Sequence, residues 1–89
     1  MKITFDPAKR AATLAERGLD MEQVKKVFDG PHETVADDRA NYGEDRWITF
    51  GWLSGRLVVV IWTLRGATRR IISLRKANDR EQAKNKPSL

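Results

Sequence analysis

The stretch RWITFGWLSGRLVVVIWTLRGATRRIISLRK, Arg46 to Lys76, decides the fold. β-Branched and aromatic residues dominate it, and these favour the pleated, half-buried surface of a sheet. Arg46 to Leu53 reads as a strand rich in Trp, Ile, Thr and Phe. Ser54-Gly55 is a two-residue turn, so the next strand folds back as a hairpin. Arg56 to Leu64 is nearly all β-branched or aromatic, the pattern of a central strand covered on both faces. Gly66 marks a second turn, within Arg65 to Thr68. Arg69 to Arg75 is a third strand built on Ile71-Ile72-Ser73-Leu74. Short turns make these three strands antiparallel neighbours.

Towards the N-terminus, Lys2 to Phe5 alternates polar and apolar and predicts a short first strand. Asp6 is a helix N-cap with Pro7 at the first helical position. Ala8, Ala11, Ala12 and Ala15 follow on one side, a thin stripe suited to close packing on a sheet. Gly18 ends this helix with a left-handed cap. Asp20 opens a second helix, with Gln23 as its capping-box partner. Met21, Val24, Val27 and Phe28 form its buried side, and Gly30-Pro31 stops it. Glu33 to Ala36 predicts an edge strand, followed by a polar loop from Asp37 to Glu44. Beyond the decisive stretch, a last helix is expected from about Lys76, fraying near Lys86-Pro87.

The predicted order is therefore β-α-α-β-β-β-β-α. It describes a two-layer α+β domain with an antiparallel sheet, two N-terminal helices on one face and a short C-terminal helix. The chain has 89 residues, which suits a single domain over 1–89, with about 84–89 as a frayed tail. The two early helices also suggest a helix-turn-helix. Pro7 to Asp29 holds 5 cations against 4 anions, however, which is too neutral for a recognition helix. A helical hairpin covering the sheet is the better reading.

Composition removes whole classes of function. There are no cysteines and one histidine, His32, so disulfide frameworks, cysteine nucleophiles and multi-histidine zinc sites are excluded. A chain this short has little interior for a deep cofactor cavity. A surface site without metal or cofactor is expected. The longest apolar run, Leu57 to Trp62, falls far short of the ~20 residues of a membrane span. The N-terminus lacks an apolar signal region, so a cytoplasmic location is expected.

Charge is distributed unevenly. Residues 1–45 carry 7 Lys/Arg and 10 Asp/Glu, a net of −3, whereas residues 46–89 carry 10 and 2, a net of +8. From Arg46 to Arg80 there are eight cations, and seven are arginine. Arginine presents phosphate with a planar, bidentate fork that lysine lacks. A polyanionic partner follows. Strand parity sorts these residues. Thr63 and Arg65 share a face with Leu57, Val59 and Ile61. On the last strand, strict alternation puts Arg69, Ile71, Ser73 and Arg75 on one face, and Arg70, Ile72 and Leu74 on the other. Arg75, Lys76 and Arg80 then bracket the helix-covered end of the sheet, with Arg46 and Arg65 elsewhere. Trp47, Trp52 and Trp62 could stack on bases. Their strand positions favour the core for at least two, and Trp62 shares parity with Val58 and Val60.

Fixed cations suit RNA cleavage, in which a ribose 2′-hydroxyl attacks its own phosphate and extra negative charge develops there. The candidates for proton transfer are His32, Tyr42 and Glu44. His32 is read as an exposed loop residue, which favours a non-catalytic role.

Several motifs together resemble the BrnT toxins of bacterial type II toxin–antitoxin systems. They are Phe5-Asp6-Pro7-Ala8-Lys9, Arg17-Gly18-Leu19, Val27-Phe28-Asp29 with Pro31, Glu44-Asp45-Arg46, Gly51 and Arg56-Leu57-Val58-Val59-Val60. Most specific are Thr63-Leu64-Arg65, Arg70-Ile71-Ile72-Ser73-Leu74-Arg75-Lys76-Ala77 and Arg80-Glu81. The resemblance covers nearly the whole chain. It implies a RelE-like fold, a ribonuclease that halts translation, and a cognate BrnA-like antitoxin that carries the DNA-binding region, so that operator DNA is met only indirectly. It also implies catalytic roles for Arg65, Arg75, Lys76 and Arg80. Arg46, Arg56 and Arg69 are the expected RNA-binding residues. Arg17 stands where a Lys-His pair is common, Trp62 where many members have histidine, and Asn78-Asp79 where the family is often more basic. The last two leave open a weakened activity or a different general base. The same arginines would also serve a non-catalytic nucleic-acid-binding or protein-interaction module.

Overall fold

The computed structural model describes residues 1–88. The hairpin forms as the turn chemistry requires. Ser54 has φ 51° and Gly55 φ 76°, so both central residues are left-handed, the twist that closes a two-residue hairpin. The turn joins β3 (Arg46–Leu53) to β4 (Arg56–Arg65), and Trp47 lies opposite Trp62. Gly66, at φ 60°, turns the chain into β5 (Thr68–Lys76). β2 (His32–Ala36) pairs antiparallel with β3, and β1 (Lys2–Thr4) lies parallel to β5. The sheet order is β1-β5-β4-β3-β2. The expectation of a wholly antiparallel sheet is therefore corrected at one edge. A strand from the opposite end of the sequence fills that edge, and local turn signals cannot reveal such a pairing.

The helices are α1 (Pro7–Arg17), α2 (Val24–Asp29) and α3 (Asp79–Asn85), with one 3-10 turn at Met21–Gln23. Asp6 caps α1 by accepting from the Ala8 N–H, and Gly18 closes it at φ 68°. Asp20 accepts from the Glu22 N–H, so the second helical segment begins as the 3-10 turn. α3 starts from a full capping box between Asn78 and Glu81. It begins three residues later than expected, because Lys76 still belongs to β5 opposite Val58. The expected tail's final residue, Leu89, lies outside the described residues.

Two apolar clusters flank the sheet. Leu19, Met21, Val24 and Val27 pack with Val58, Val60, Trp62, Ile71 and Leu74 on one face. Phe50, Leu57 and Val59 pack with Ala77 on the other, beside the start of α3. Burying each of the Val, Leu, Ile, Met and Phe side chains among them contributes about 1.5–3 kcal/mol. Gly51 lets α2 approach. A methyl group there would stand 2.5 Å from Val27 Cγ1 and 3.2 Å from His32 Cβ.

The alanine stripe of α1 is not buried. Ala8, Ala11, Ala12 and Ala15 are all exposed, and Thr13 is the buried residue of the helix. Arg10 reaches Asp20 at 2.8 Å and Glu22 at 3.4 Å, while Arg17 donates to the Leu74 carbonyl at 2.9 Å. Methyl groups offer little area, so the polar anchors set the rotation of the helix.

Candidate nucleic-acid interface

Register first decides which cations share a surface. Ile61 pairs with Ser73 and Trp62 with Ile71, so Ile72 is the extra residue of a β-bulge. The bulge resets alternation, and Ile71 and Leu74 both enter the helix-covered core. Arg70 pairs with Thr63 and Arg75 with Val59, so Arg70 shares the face of Arg75 and Arg69 leaves it. Strict parity gave the opposite assignment. The Arg69 guanidinium instead stacks 3.9 Å over Phe28 and 5.1 Å from the Trp62 ring centroid. Its Nε is buried without a hydrogen-bond partner among the described residues.

At the Arg65 end of β4, four candidate side chains converge. Glu44 Oε2 lies 3.4 Å from Arg46 Nε, and its Oε1 lies 3.2 Å from an Arg65 amino group. The Arg46 guanidinium sits 4.0 Å over the Tyr42 ring. Glu44 is half-buried, whereas the Arg65 side chain is 60% exposed and free to take a ligand.

The polar loop from Asp37 to Asp45 builds this site. The Asp37 N–H donates to the Arg46 carbonyl, and the Thr63 hydroxyl donates to the Asp45 carbonyl at 2.6 Å. The buried Asp37 carboxylate accepts two bonds from Arg39, at 2.7 and 2.8 Å. Those bonds hold Asp37 below the ordinary carboxylate range and push Arg39 up. A cavity of about 570 Å³ opens between Asp37, Tyr42, Glu44, Arg46 and Trp47.

Arg75 occupies a different position. It grips Glu81 of α3 through two bonds of 2.7 and 2.8 Å, which hold Glu81 below its ordinary range and raise Arg75. Arg65 pairs with Thr68 and Arg75 with Val59, so the two lie six strand positions apart, about 20 Å along β4. Lys76 is exposed at the far end with Arg56, and Arg80 is exposed on α3. The expected catalytic quartet is thus spread along β4 and β5 and onto α3. His32 is not in a loop. It begins β2 opposite Gly51, donates its Nδ1–H to the Gly30 carbonyl at 2.8 Å, and sets its ring against Phe28. Trp62 is buried on that helix face, with its indole N–H donating to Thr49 at 2.8 Å. Of the proton-transfer candidates, the structure brings Tyr42 and Glu44 to the paired arginines and leaves His32 elsewhere.

Among the described residues no helix is long and apolar enough to cross a membrane. The chain is a small α+β domain with Arg46, Arg65, Arg70 and Arg75 ranged along one sheet face. A family model described as the ribonuclease toxin BrnT of type II toxin–antitoxin systems matches residues 5–81. The chain belongs to that family, whose members are toxins with ribonuclease activity and whose type implies an antitoxin partner and an RNA target. A comparison with curated proteins finds no match.

Proposed function

We propose that this chain is a cytoplasmic endoribonuclease toxin, a single domain with the RelE-like arrangement. It blocks translation by cutting RNA and is neutralised by a BrnA-like antitoxin, through which alone it meets operator DNA. The observation that carries this reading is Glu44 held between Arg46 and Arg65. Glu44 accepts the proton of the ribose 2′-hydroxyl. The freed oxygen attacks the adjacent phosphorus and forms a P–O bond, and the bond to the 5′-oxygen breaks. That oxygen takes a proton from solvent water as it leaves, and Glu44 returns its proton to solvent, which gives a 2′,3′-cyclic phosphate and a 5′-hydroxyl. Arg65 and Arg46 offset the charge that builds on the phosphorane oxygens. Tyr42 holds the Arg46 guanidinium in place. Arg75, Lys76 and Arg80 contact flanking phosphates, as does Arg56. Arg69 serves RNA binding only indirectly, by fixing the strand from its other face. The chemistry uses no metal.

The test is RNA cleavage in vitro alongside growth arrest on induced expression. Wild type should cut RNA and stop growth, and Glu44→Gln and Arg65→Ala should do neither. RNA left intact by wild type, and normal growth without antitoxin, would sink the enzyme reading. RNA bound but uncut would favour a non-catalytic binding module.

A further inference from the structure

The opposite end of β4 carries cations that the proposed cleavage centre does not use. Arg56, Lys76 and Lys86 line a cavity of about 370 Å³ together with Trp52, Leu57 and Ala77. Lys76 and Arg56 also line a neighbouring cavity of about 530 Å³, where Arg17 joins them together with Asp20, whose carboxylate is already paired with Arg10. All four cations are exposed, and among the described residues none of them has an ion-pair partner. No acidic side chain lines the first cavity. Cations gathered without counter-charge attract an anion more strongly than any one alone. An aromatic surface lies beside them. Trp52 is half-buried, its indole N–H donates to the Pro87 carbonyl at 3.3 Å, and Lys86 Nζ stands 5.5 Å over its ring.

We infer that this cavity is a nucleotide subsite for the single-stranded RNA whose scissile phosphate sits at Arg46 and Arg65, an inference that rests on the ribonuclease reading. A base lies against Trp52, and its phosphate takes Arg56, Lys76 and Lys86. The pairing of a ring with several cations suits a strand in which bases and phosphates alternate. An acidic peptide would use the cations and leave the ring idle. Arg56 and Arg65 are nine strand positions apart, about 30 Å. A stacked strand advances about 3.4 Å per nucleotide, so about nine nucleotides join the two sites. Arg70 and Arg75 stand between them on the sheet face that carries Trp52 and Arg65, whereas Arg56 and Lys76, in register with Leu53 and Val58, line the cavity from the strand ends. Short RNAs therefore fill only one site, and longer RNAs fill both.

The experiment follows the indole N–H signals of the full chain by NMR during titration with 2′-O-methyl RNA, which lacks the attacking hydroxyl. The probes are a trimer, a dodecamer and a glutamate-rich peptide matched in charge to the dodecamer. The dodecamer should move the Trp52 signal, leave the buried Trp62 signal in place, and bind at least about tenfold tighter than the trimer. The double variant Lys76→Ala/Lys86→Ala should lose that advantage. Its log–log salt slope should fall by about 1.4, at roughly 0.7 per phosphate contact on a single strand. An unmoved Trp62 signal shows that this variant is folded. The inference is overturned if the dodecamer binds in an Arg65-dependent way with Trp52 unmoved, or if the double variant keeps full affinity. It is also overturned if the peptide alone moves Trp52, which would mark a docking site for an acidic protein. Failure of both RNAs to bind overturns the ribonuclease reading as well.

Discussion

The two ends of β4 both present cations and treat them oppositely. At the Arg65 end, Arg46 and Arg65 share one carboxylate, Glu44, and a loop anchored by Asp37 holds that carboxylate in place. At the Arg56 end, Arg17, Arg56, Lys76 and Lys86 are exposed and without acidic partners among the described residues. A paired guanidinium is positioned but partly neutralised, so it acts at short range on charge that develops beside it. An unpaired cation is mobile and acts at longer range, drawing in and holding a polyanion. Net charge does not distinguish these roles.

The comparison breaks most readily at Glu44. Glu44→Gln keeps the shape and removes the base, so kcat should fall by about 10²–10⁴-fold while RNA affinity holds. If affinity falls and kcat does not, Glu44 merely positions the arginines. Arg65→Ala should lower kcat by about 10²–10³-fold, the usual loss when one charge-stabilising donor is removed. Lys76→Ala, at the other end, should instead raise KM several-fold and flatten the salt dependence of binding by about 0.7 in log–log slope. An equal loss of kcat in both variants would erase the distinction between the ends.

A change midway along the sheet should touch both ends alike. Gly51→Ala forces Val27 and α2 outward, and overpacking of this kind costs about 1–3 kcal/mol. Each kcal/mol should lower Tm by about 4–8 °C in a domain of this size, as read by thermal unfolding. The smallest effect concerns pH. Asp37 near one end and Glu81 near the other sit below their ordinary range because Arg39 and Arg75 donate to them, and Asp20 does so through Arg10. Their folded pKa values lie under the unfolded ones. The stability they contribute is therefore complete only above about pH 5 and drains away as pH falls through the folded values. Glu81→Gln should remove only the part of that dependence carried by α3, which hydrogen exchange in α3 would show.

Much of the scaffold was legible in the chain. Ser54-Gly55 announced the hairpin, Gly18 and Asp6 the ends of α1, and the apolar run from Leu57 the central strand. The arginine series and the family motifs pointed to the basic face. The errors share a cause. Strict alternation misassigned Arg69 and Arg70, because one bulged residue, Ile72, shifts everything before it on β5. The alanine stripe of α1 pointed outward, because Arg10 and Arg17 found distant partners. The convergence of Glu44 and Tyr42 on Arg46 and Arg65 lies in a polar loop, and such a loop has no periodicity to read. Nothing in the chain joined Lys86 and Arg17 to Arg56 and Lys76, since their neighbours come from other elements.

The sequence by itself determined the central strands, the turns between them, the ends of α1 and the sign of the charge in the second half. These depend on neighbours within a few residues: turn residues that accept positive φ, caps that satisfy free N–H groups, and side chains of fixed period. Only the tertiary structure decided which arginines are paired, which face each one takes and how far apart they stand. Those outcomes depend on register, a single bulge and a loop closing over a strand. Each is set by contacts between residues far apart in the chain, where no local pattern records them.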